Sequence, residues 1–429
     1  MATAARRLAY RVLRDVEGGG ATLADRLAAL DVQDLAPRER ALLHELVRGT
    51  LRLRGALDYA LAPLLERQPL ERLDPAVRTI LRLGAHQVLH LRVPDRAAVS
   101  ESVDLARGVA PRASGLVNAV LRRLARGGPP AAPDPDTNPL AWLTSAGSLP
   151  AWLAERWLQR LGPVVAIARA RALLAAPPPV FRLNPRVPDA LDQARAAGVA
   201  PVPLTVPGAW LATGNSPYEL AARNVLYMQD QGSQMVGRLA EGGRLTLDAC
   251  AAPGGKAMLL ADANGAGSVV VAAEASPRRV QTLADLVRRW GAPGVHVVAA
   301  DGLRPAFAVM FDAVLIDAPC SGLGTLARHP DIRWRARPAD IPYHAARQGG
   351  LLRSLAPLVR PGGTLVFATC SPEPEENEGV VQPFLDSHPE FGVAPAPEWA
   401  GALADGPFYG TRPERDGGDA FFAARLVRR

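Results

Sequence analysis

The sequence predicts a multidomain protein in which an all-helical N-terminal bundle precedes an α/β domain with a mostly parallel sheet. Apolar residues recur at helical spacing through residues 1–127, whereas from residue 241 short runs of valine, leucine and alanine alternate with amphipathic stretches. Such strand–helix alternation is typical of parallel strands with helices on both faces. The 429 residues accommodate two or three domains.

Composition and turn signals divide the chain into four segments. Residues 1–127 form the helical bundle, and the run at 128–140, which is rich in proline and glycine, is typical of a linker. Residues 141–240 mix short helices with strand-like stretches and predict an α+β subdomain. Residues 241–429 carry the strand–helix alternation and predict the α/β domain.

The positive charge of the chain is concentrated near its start. Lysine and arginine number 49 against 42 acidic residues, which gives a formal net charge of +7. The first 130 residues contain 21 arginines and 14 acids, so the whole excess lies there. This bias indicates contact with a polyanion, and a solvated helical surface is the alternative. The chain contains a single lysine, Lys256.

Cysteine usage and hydropathy exclude several classes of protein. Cys250, Cys320 and Cys370 are too few for a disulfide framework and form no CxxC metal pair, so we expect no metal. No run approaches the roughly 18 apolar residues of a membrane span. The N-terminus also lacks the apolar stretch of a signal peptide. We therefore expect a cytoplasmic protein without a membrane partner.

A small-residue loop follows the first predicted strand, which spans 245–248. Ligands of open parallel sheets bind at the carboxyl ends of the strands, and adjacent glycines let a backbone approach a ligand closely. A phosphate-binding P-loop is excluded by spacing, and no GxGxxG dinucleotide fingerprint is present. The predicted ligand-binding loop consists of Cys250, Ala251, Ala252, Pro253, Gly254, Gly255 and Lys256.

Acidic residues end the next three predicted strands. Glu274 is placed to accept hydrogen bonds from ribose hydroxyls, and Asp301 and Asp317 follow the third and fourth strands. Each acid alone could be a helix N-cap. Three of them beside a glycine loop favour a ligand that carries hydroxyl and amino donors.

Two cysteines follow neighbouring predicted strands, Cys320 the fourth and Cys370 the fifth. If these strands are adjacent, both thiols lie at one edge of the sheet, beside the glycine loop. A thiolate that adds to C6 of cytosine makes C5 nucleophilic toward an electrophilic methyl group, which is covalent catalysis. Asp317 is then the candidate hydrogen-bond partner of the pyrimidine N3. For Cys250, at the start of the loop, packing is favoured over a role in this chemistry.

Several segments resemble known methyltransferase motifs. DACAAPGGKA, IDAPCSGLGTLARHPDIRW, PGGTLVFATCSPEPEENEGVV and DAFFAARL are similar to successive motifs of the RNA cytosine-C5 methyltransferases of the Sun/RsmB type. RERALLHELVRGTLRLRGALDYAL, ILRLGAHQVLHL and GLVNAVLRRL resemble the NusB-like domain of that family. The resemblance implies a NusB-like RNA-binding bundle followed by a Rossmann-like, seven-stranded methyltransferase domain that uses S-adenosyl-L-methionine.

The resemblance also implies roles for single residues. Cys370 would be the nucleophile, Cys320 would assist product release, and Asp317 would face the active site. The loop from Cys250 to Lys256 would bind the cofactor with Asp317, while Glu274 would hold its ribose and Asp301 would lie near its adenine. DNA cytosine methyltransferases place their nucleophile in a PC motif, so the reversed cysteine assignment stays open.

Two positions depart from the family pattern. Family members often carry aspartate where this chain has Glu274, and threonine where it has Ala257. Glutamate keeps the carboxylate but is one methylene longer, which alters the expected geometry at the ribose.

The implied substrate is 16S ribosomal RNA, at the cytosine conventionally numbered 967, and the implied protein is a monomer. Arg328, Arg333 and Trp334 follow Cys320 and are candidate RNA contacts. A methyltransferase of transfer RNA or 23S RNA is an alternative, as is a non-catalytic ribosome assembly factor. A thiol acyltransferase or hydrolase is disfavoured, because no histidine follows a predicted strand end.

Overall fold

A computed structural model describes residues 2–19, 21–32, 34–66, 68–395 and 397–429. The chain forms two compact units. Unit 1 comprises Met1–Ala176 and Leu326–Ala336, and unit 2 comprises Pro177–Thr325 and Arg337–Arg429.

Unit 1 is helical, as the apolar periodicity of its sequence predicts. Its helices are α1 (Ala4–Glu17), α2 (Leu23–Ala28), α3 (Pro37–Arg52), α4 (Arg54–Leu61), α5 (Pro75–His90), α6 (Asp95–Val109), α7 (Ser114–Gly127), α8 (Pro139–Thr144), α9 (Ala151–Leu174) and α15 (Ile332–Arg335). Leucine and valine side chains from α1, α3, α5, α6 and α7 form one buried core. The core therefore explains why each helix is amphipathic.

The boundary between the units differs from the predicted segments. The run 128–140 lies within unit 1, where the carbonyl of Ala131 accepts a hydrogen bond from the Tyr59 hydroxyl. The predicted 141–240 segment is divided, because its helices α8 and α9 belong to unit 1 and its strands to unit 2. The division falls at Pro177, the start of a proline run that interrupts helical structure.

The segment Leu326–Ala336 corrects the prediction of RNA contacts. Arg333 has no exposed surface, and its guanidinium donates hydrogen bonds to the carbonyls of Arg52, Ser148 and Leu173. A buried guanidinium engaged in this way cannot contact RNA, so the prediction for Arg333 is wrong.

Trp334 is likewise a packing residue. Its indole N–H donates to the Leu51 carbonyl at 2.6 Å, and the Arg54 guanidinium covers one face of the ring at 4.8 Å. The rest of the ring packs on the helical core, which leaves it poorly placed for base stacking. Arg328 is half-buried and stays a prediction.

Unit 2 begins with a small antiparallel sheet of strand order β2-β3-β1-β4. Its strands are β1 (Val180–Leu183), β2 (Val199–Pro203), β3 (Trp210–Gly214) and β4 (Leu226–Met228). Helices α10 (Ala190–Ala196) and α11 (Tyr218–Ala222) lie between these strands in sequence. Phe181, Val199 and Leu226 are central to its own buried cluster.

The large sheet of unit 2 has the order β11-β12-β13-β9-β8-β5-β6-β7, and β10 pairs with β13. Its strands are β5 (Leu245–Asp248), β6 (Val269–Glu274), β7 (Val295–Ala299), β8 (Phe311–Asp317), β9 (Val359–Thr369), β10 (Phe391–Val393), β11 (Ala404–Asp405), β12 (Phe408–Thr411) and β13 (Phe421–Arg428). Strands β5 to β9 are parallel, and the remaining strands are antiparallel. The sheet exceeds the predicted seven strands by the short strands β10 and β11.

Helices complete the α/β architecture of unit 2. They are α12 (Gln231–Leu239), α13 (Gly255–Ala263), α14 (Pro277–Trp290), α16 (Asp340–Leu355), α17 (Glu378–Ser387) and α18 (Pro413–Asp416). Two separate buried clusters involve the sheet, and helices α12 to α14 contribute to one and α16 and α17 to the other. Parallel strands covered on both faces are continuously apolar, which explains the valine-rich runs. In the described residues, no helix has the length and apolar character that crossing a membrane requires.

Candidate active site

The glycine loop connects β5 to α13. Gly254 has φ +121°, a conformation that favours glycine, and α13 begins at Gly255. A Cβ at Gly254 would lie 2.8 Å from Cδ1 of Leu283, and one at Gly255 would lie 2.9 Å from Cε1 of Tyr227. Neighbouring side chains of the protein therefore leave no room for a Cβ at either glycine. This packing requirement exists in addition to the predicted role of the glycines, which is to let the backbone approach a ligand.

Cys320 and Cys370 are brought together by the pairing of β8 with β9. The two strands run parallel, with Asp317 opposite Ala368, so the turns that follow them are neighbours. The two sulfur atoms are 3.1 Å apart, within hydrogen-bonding distance. This confirms that both thiols lie at one edge of the sheet.

The environment differs among the three thiols. The hydrogen bond to Cys370, together with burial, raises the pKa of Cys320 well above its usual value. Cys320 therefore keeps its proton and can donate it toward the Cys370 sulfur, which stabilises negative charge there. Burial, with the nearby Asp248 carboxylate, also raises the pKa of Cys250. A thiol held in its protonated form is a poor nucleophile.

A cavity of about 230 Å³ opens beside these sulfur atoms. Its lining combines the glycine loop, the two cysteine-bearing turns and one aromatic ring. The lining residues are Cys250, Ala252, Lys256, Arg279, Asp317, Ala318, Pro319, Cys320, Thr325, Cys370 and Phe421. The predicted cofactor loop, Asp317 and both strand-end cysteines thus share one cavity.

Lys256 forms an ion pair at the wall of this cavity. Its Nζ lies 2.7 Å from Oδ2 of Asp317 and 5.5 Å from the centre of the Phe421 ring, and its side chain is 11% exposed. Burial disfavours its charge, but the Asp317 carboxylate outweighs burial and raises the pKa of Lys256. The only lysine of the chain is therefore a charged group in a tightly enclosed position.

We expect Lys256→Arg to weaken cofactor binding by about tenfold or more, because a planar guanidinium cannot occupy the position of a compact ammonium. The measurement is the dissociation constant for S-adenosylmethionine by calorimetry. Arg288→Lys, on the exposed ion pair of α14, is the control and should leave the constant unchanged. An unchanged affinity of the Lys256→Arg variant would contradict this role.

Asp248, the last residue of β5, is a functional candidate that the sequence interpretation missed. It is fully buried, no described side chain donates a hydrogen bond to its carboxylate, and the backbone N–H of Cys250 stabilises its charged form. Burial and the charge of Asp317 raise the pKa of Asp248 to about 7. A buried carboxylate with a strongly raised pKa beside Asp317 and Lys256 is a candidate functional residue. The sequence feature that could have identified Asp248 is its position at the end of the predicted strand 245–248.

Glu274 and Asp301 lie outside the cavity lining. Glu274 is buried, accepts a hydrogen bond from the Ser276 N–H and pairs with Arg279 at 3.1 Å. Asp301 is exposed and accepts one from the Leu303 N–H, as a turn-capping residue does. Their contacts with a cofactor stay predictions.

Arg279 was also missed by the sequence interpretation. It lines the cavity and donates a hydrogen bond to the Ala252 carbonyl at 2.7 Å, so it joins Glu274 to the glycine loop. Its place in the first turn of α14, directly after the strand that ends in Glu274, was the available signal.

Glu376 is a further missed residue, in the turn after Cys370. It has no exposed surface. Its Oε1 accepts hydrogen bonds from the Ser321 N–H at 2.8 Å and the Gln348 side-chain amide at 3.2 Å. Its Oε2 accepts hydrogen bonds from the hydroxyls of Ser321 and Ser371. Ser321 and Ser371 directly follow the two cysteines, so one carboxylate bridges both turns.

Comparison with known proteins gives two family matches. Residues 238–427 match the family described as 16S rRNA methyltransferase RsmB/F, and residues 3–126 match the NusB family. The ribosomal RNA small subunit methyltransferase B of Thermus thermophilus is 38% identical, covering 99% of this chain and 97% of its own. The enzyme of that name from Salmonella arizonae is 30% identical, covering 99% and 98%.

Solved structures share the fold. The crystal structure of PH0851 covers all of both chains with a TM-score of 0.79 at 24% identity. A methyltransferase homologue from Pyrococcus horikoshii, 25% identical, covers 66% of this chain and 97% of its own with a TM-score of 0.58.

Proposed function

The chain belongs to the ribosomal RNA small subunit methyltransferase B family, and we propose that it forms 5-methylcytosine in 16S rRNA at the cytosine of the 967 type. The observation that carries the proposal is the 3.1 Å contact between the Cys320 and Cys370 sulfur atoms at the cavity wall. An acyltransferase or a non-catalytic assembly factor has no need of two adjoining thiols beside an enclosed lysine.

The cavity fits S-adenosylmethionine as cofactor. Asp317 lines the cavity, and the carboxylates of Asp248 and Glu274 are close by, which suits a ligand with ammonium, sulfonium and hydroxyl groups. The loop from Cys250 to Lys256 would hold it at the N-terminus of α13. When bound, it supplies an electrophilic methyl group.

The residues of the chain then act on the base. The Cys370 sulfur adds to C6 of cytosine, and the C5–C6 electron pair makes C5 nucleophilic. The negative charge that spreads from C5 to N3 is neutralised by a proton, which the Lys256–Asp317 pair beside the ring would donate to N3. After methylation, a base removes the C5 proton, and the electron pair of that C–H bond restores the C5–C6 double bond. The Cys370 sulfur leaves as a thiolate, and the Cys320 thiol assists this release by donating a hydrogen bond to it. The reaction needs access to the base, so an unpaired or extruded cytosine is the substrate.

The test of the proposed function is methylation of unmodified 16S rRNA with labelled S-adenosylmethionine, followed by sequencing of 5-methylcytosine. The expected product is a single modified cytosine in 16S rRNA. Preferential methylation of transfer RNA or 23S rRNA would overturn the substrate assignment. Cofactor binding without methylation of any of these RNAs would favour an assembly factor.

The groove between α6 and α7 of unit 1, which has a volume of about 680 Å³, is a candidate RNA-binding surface. Arg96 and Arg107 line it from α6, and Arg122 and Arg126 line it from α7, with Asp95 as the one acid. Arg107 pairs with Asp104, whereas the other three arginines form no ion pair with a described residue. We propose that phosphates of the RNA neutralise this charge.

We expect the double variant Arg122→Gln, Arg126→Gln to bind 16S rRNA fragments more weakly, because each lost phosphate contact reduces counterion release. The slope of log affinity against log salt should fall by about 2. The control is Arg38→Gln, Arg40→Gln, two exposed arginines at the start of α3. Equal salt slopes for the two double variants would contradict this assignment.

A further inference from the structure

The two cysteine-bearing turns follow different strands, β8 and β9. No disulfide links them. Their backbones are joined at Gly324, whose N–H donates to the Cys370 carbonyl at 2.9 Å. The side-chain contacts that span the residues directly after the two cysteines run through the serine hydroxyls, the Ser321 N–H and the Glu376 carboxylate. The pairing of β8 with β9 brings the two sulfur atoms together, and this polar cluster holds the turns that carry them.

All the hydrogen bonds to the Glu376 carboxylate in this cluster point the same way, with Glu376 as the acceptor. Each of its four partners donates, namely one backbone N–H, one amide and two hydroxyls. The Gln348 amide also donates to the Pro319 carbonyl at 3.0 Å, which ties the residue before Cys320 to the same carboxylate. Asn377 holds the turn of Cys370 in the same way. Its side chain accepts a hydrogen bond from the Thr369 hydroxyl and donates one to the Ser371 carbonyl. Both sides of each cysteine are thus held.

We propose that Glu376 is a positioning residue, which fixes the turns of Cys320 and Cys370 so that the Cys320 thiol points at the Cys370 sulfur. The catalytic part of this proposal rests on the proposed function. The hydrogen bonds by which Glu376 holds the two turns do not depend on it. Glu376 reaches neither the cavity nor the substrate, so it acts through the two thiols. The negative charge of Glu376 also contributes to the raised pKa of Cys320.

The test is Glu376→Gln, which keeps the shape of the side chain but replaces one acceptor oxygen with a donor. Single-turnover methylation should slow about 100-fold, the cost of a misplacement of about 1 Å. Iodoacetamide labelling across pH, read for each cysteine by mass spectrometry, should show the labelling midpoint of Cys320 falling, because a neighbouring negative charge and the alignment of the hydrogen bond to Cys370 are both lost. A packing role alone would not move this midpoint.

Glu378→Gln is the matched control, since Glu378 is exposed and lies two residues away on α17. This variant should change neither the single-turnover methylation rate nor the labelling midpoint of Cys320. If Glu376→Gln melts below the assay temperature, Ser371→Ala removes a single hydroxyl donor and should slow methylation about tenfold. A wild-type rate in the folded variant, or an unchanged Cys320 midpoint, overturns the proposal. The labelling needs neither RNA nor cofactor, so it decides the question even if the proposed function fails.

Discussion

Replacement of Cys370 by alanine should abolish methyl transfer, with a loss of at least about 10⁴-fold in the single-turnover rate. Without a sulfur nucleophile, C5 of cytosine is not activated, and no other described side chain at the cavity replaces it. The nearest thiol, Cys320, loses its hydrogen bond to Cys370 in this variant, but burial and the nearby Glu376 carboxylate still raise its pKa and disfavour a thiolate there. The rate is measured with labelled S-adenosylmethionine and 16S rRNA.

Cofactor affinity and melting temperature are the controls for this variant, and both should match the wild type, since alanine leaves the glycine loop intact. Cys320→Ala should behave differently: methyl transfer to the base proceeds, and release of the RNA slows. Full methylation and turnover by Cys370→Ala would contradict the mechanism and favour the reversed cysteine assignment.

Replacement of Arg333 by alanine should destabilise unit 1 by about 3–5 kcal/mol. The change empties the space of a large buried side chain and leaves the carbonyls of Arg52, Ser148 and Leu173 without their donor. Burial lowers the pKa of Arg333 to about 9, so the charge itself is costly, but the carbonyls compensate for it. Hydrogen exchange in α3 and α9 measures the loss.

Two further variants separate the causes. Arg333→Met restores most of the volume without the donors, so the difference between Met and Ala gives the cavity contribution. Arg337→Met, at an exposed position four residues later, should leave exchange unchanged. Equal protection of α3 and α9 in wild type and Arg333→Ala would show that the buried guanidinium contributes nothing to unit 1.

The division of the fold into a helical and an α/β part follows from periodicity, and the structure confirms it. The strand ends at Asp248, Glu274 and Asp317 agree with the sequence interpretation, since valine-rich runs end where polar residues begin. The place of Leu326–Ala336 in unit 1 was not predictable, because the segment is short and carries three arginines and an aspartate, residues that are usually exposed. Only tertiary contacts with backbone carbonyls reveal that Arg333 is buried.

The candidate site was predictable at positions where a reactive or charged side chain follows the end of a predicted strand. Cys320, Cys370, Lys256 and Asp317 share one cavity, as expected for residues that follow adjacent parallel strands. Glu376 was not predictable, since its role arises from serines 55 and 5 positions distant in the sequence. No periodic pattern encodes such a bridge.

The central claim is a transient bond between the Cys370 sulfur and C6 of the target cytosine. The direct measurement uses the Cys320→Ala protein with unmodified 16S rRNA and S-adenosylmethionine, followed by denaturation, digestion with nuclease and protease, and mass spectrometry. We expect a 5-methylcytidine adduct on the peptide that contains Cys370. Methylated RNA with no adduct on that peptide, or an adduct on a different residue, would contradict the account.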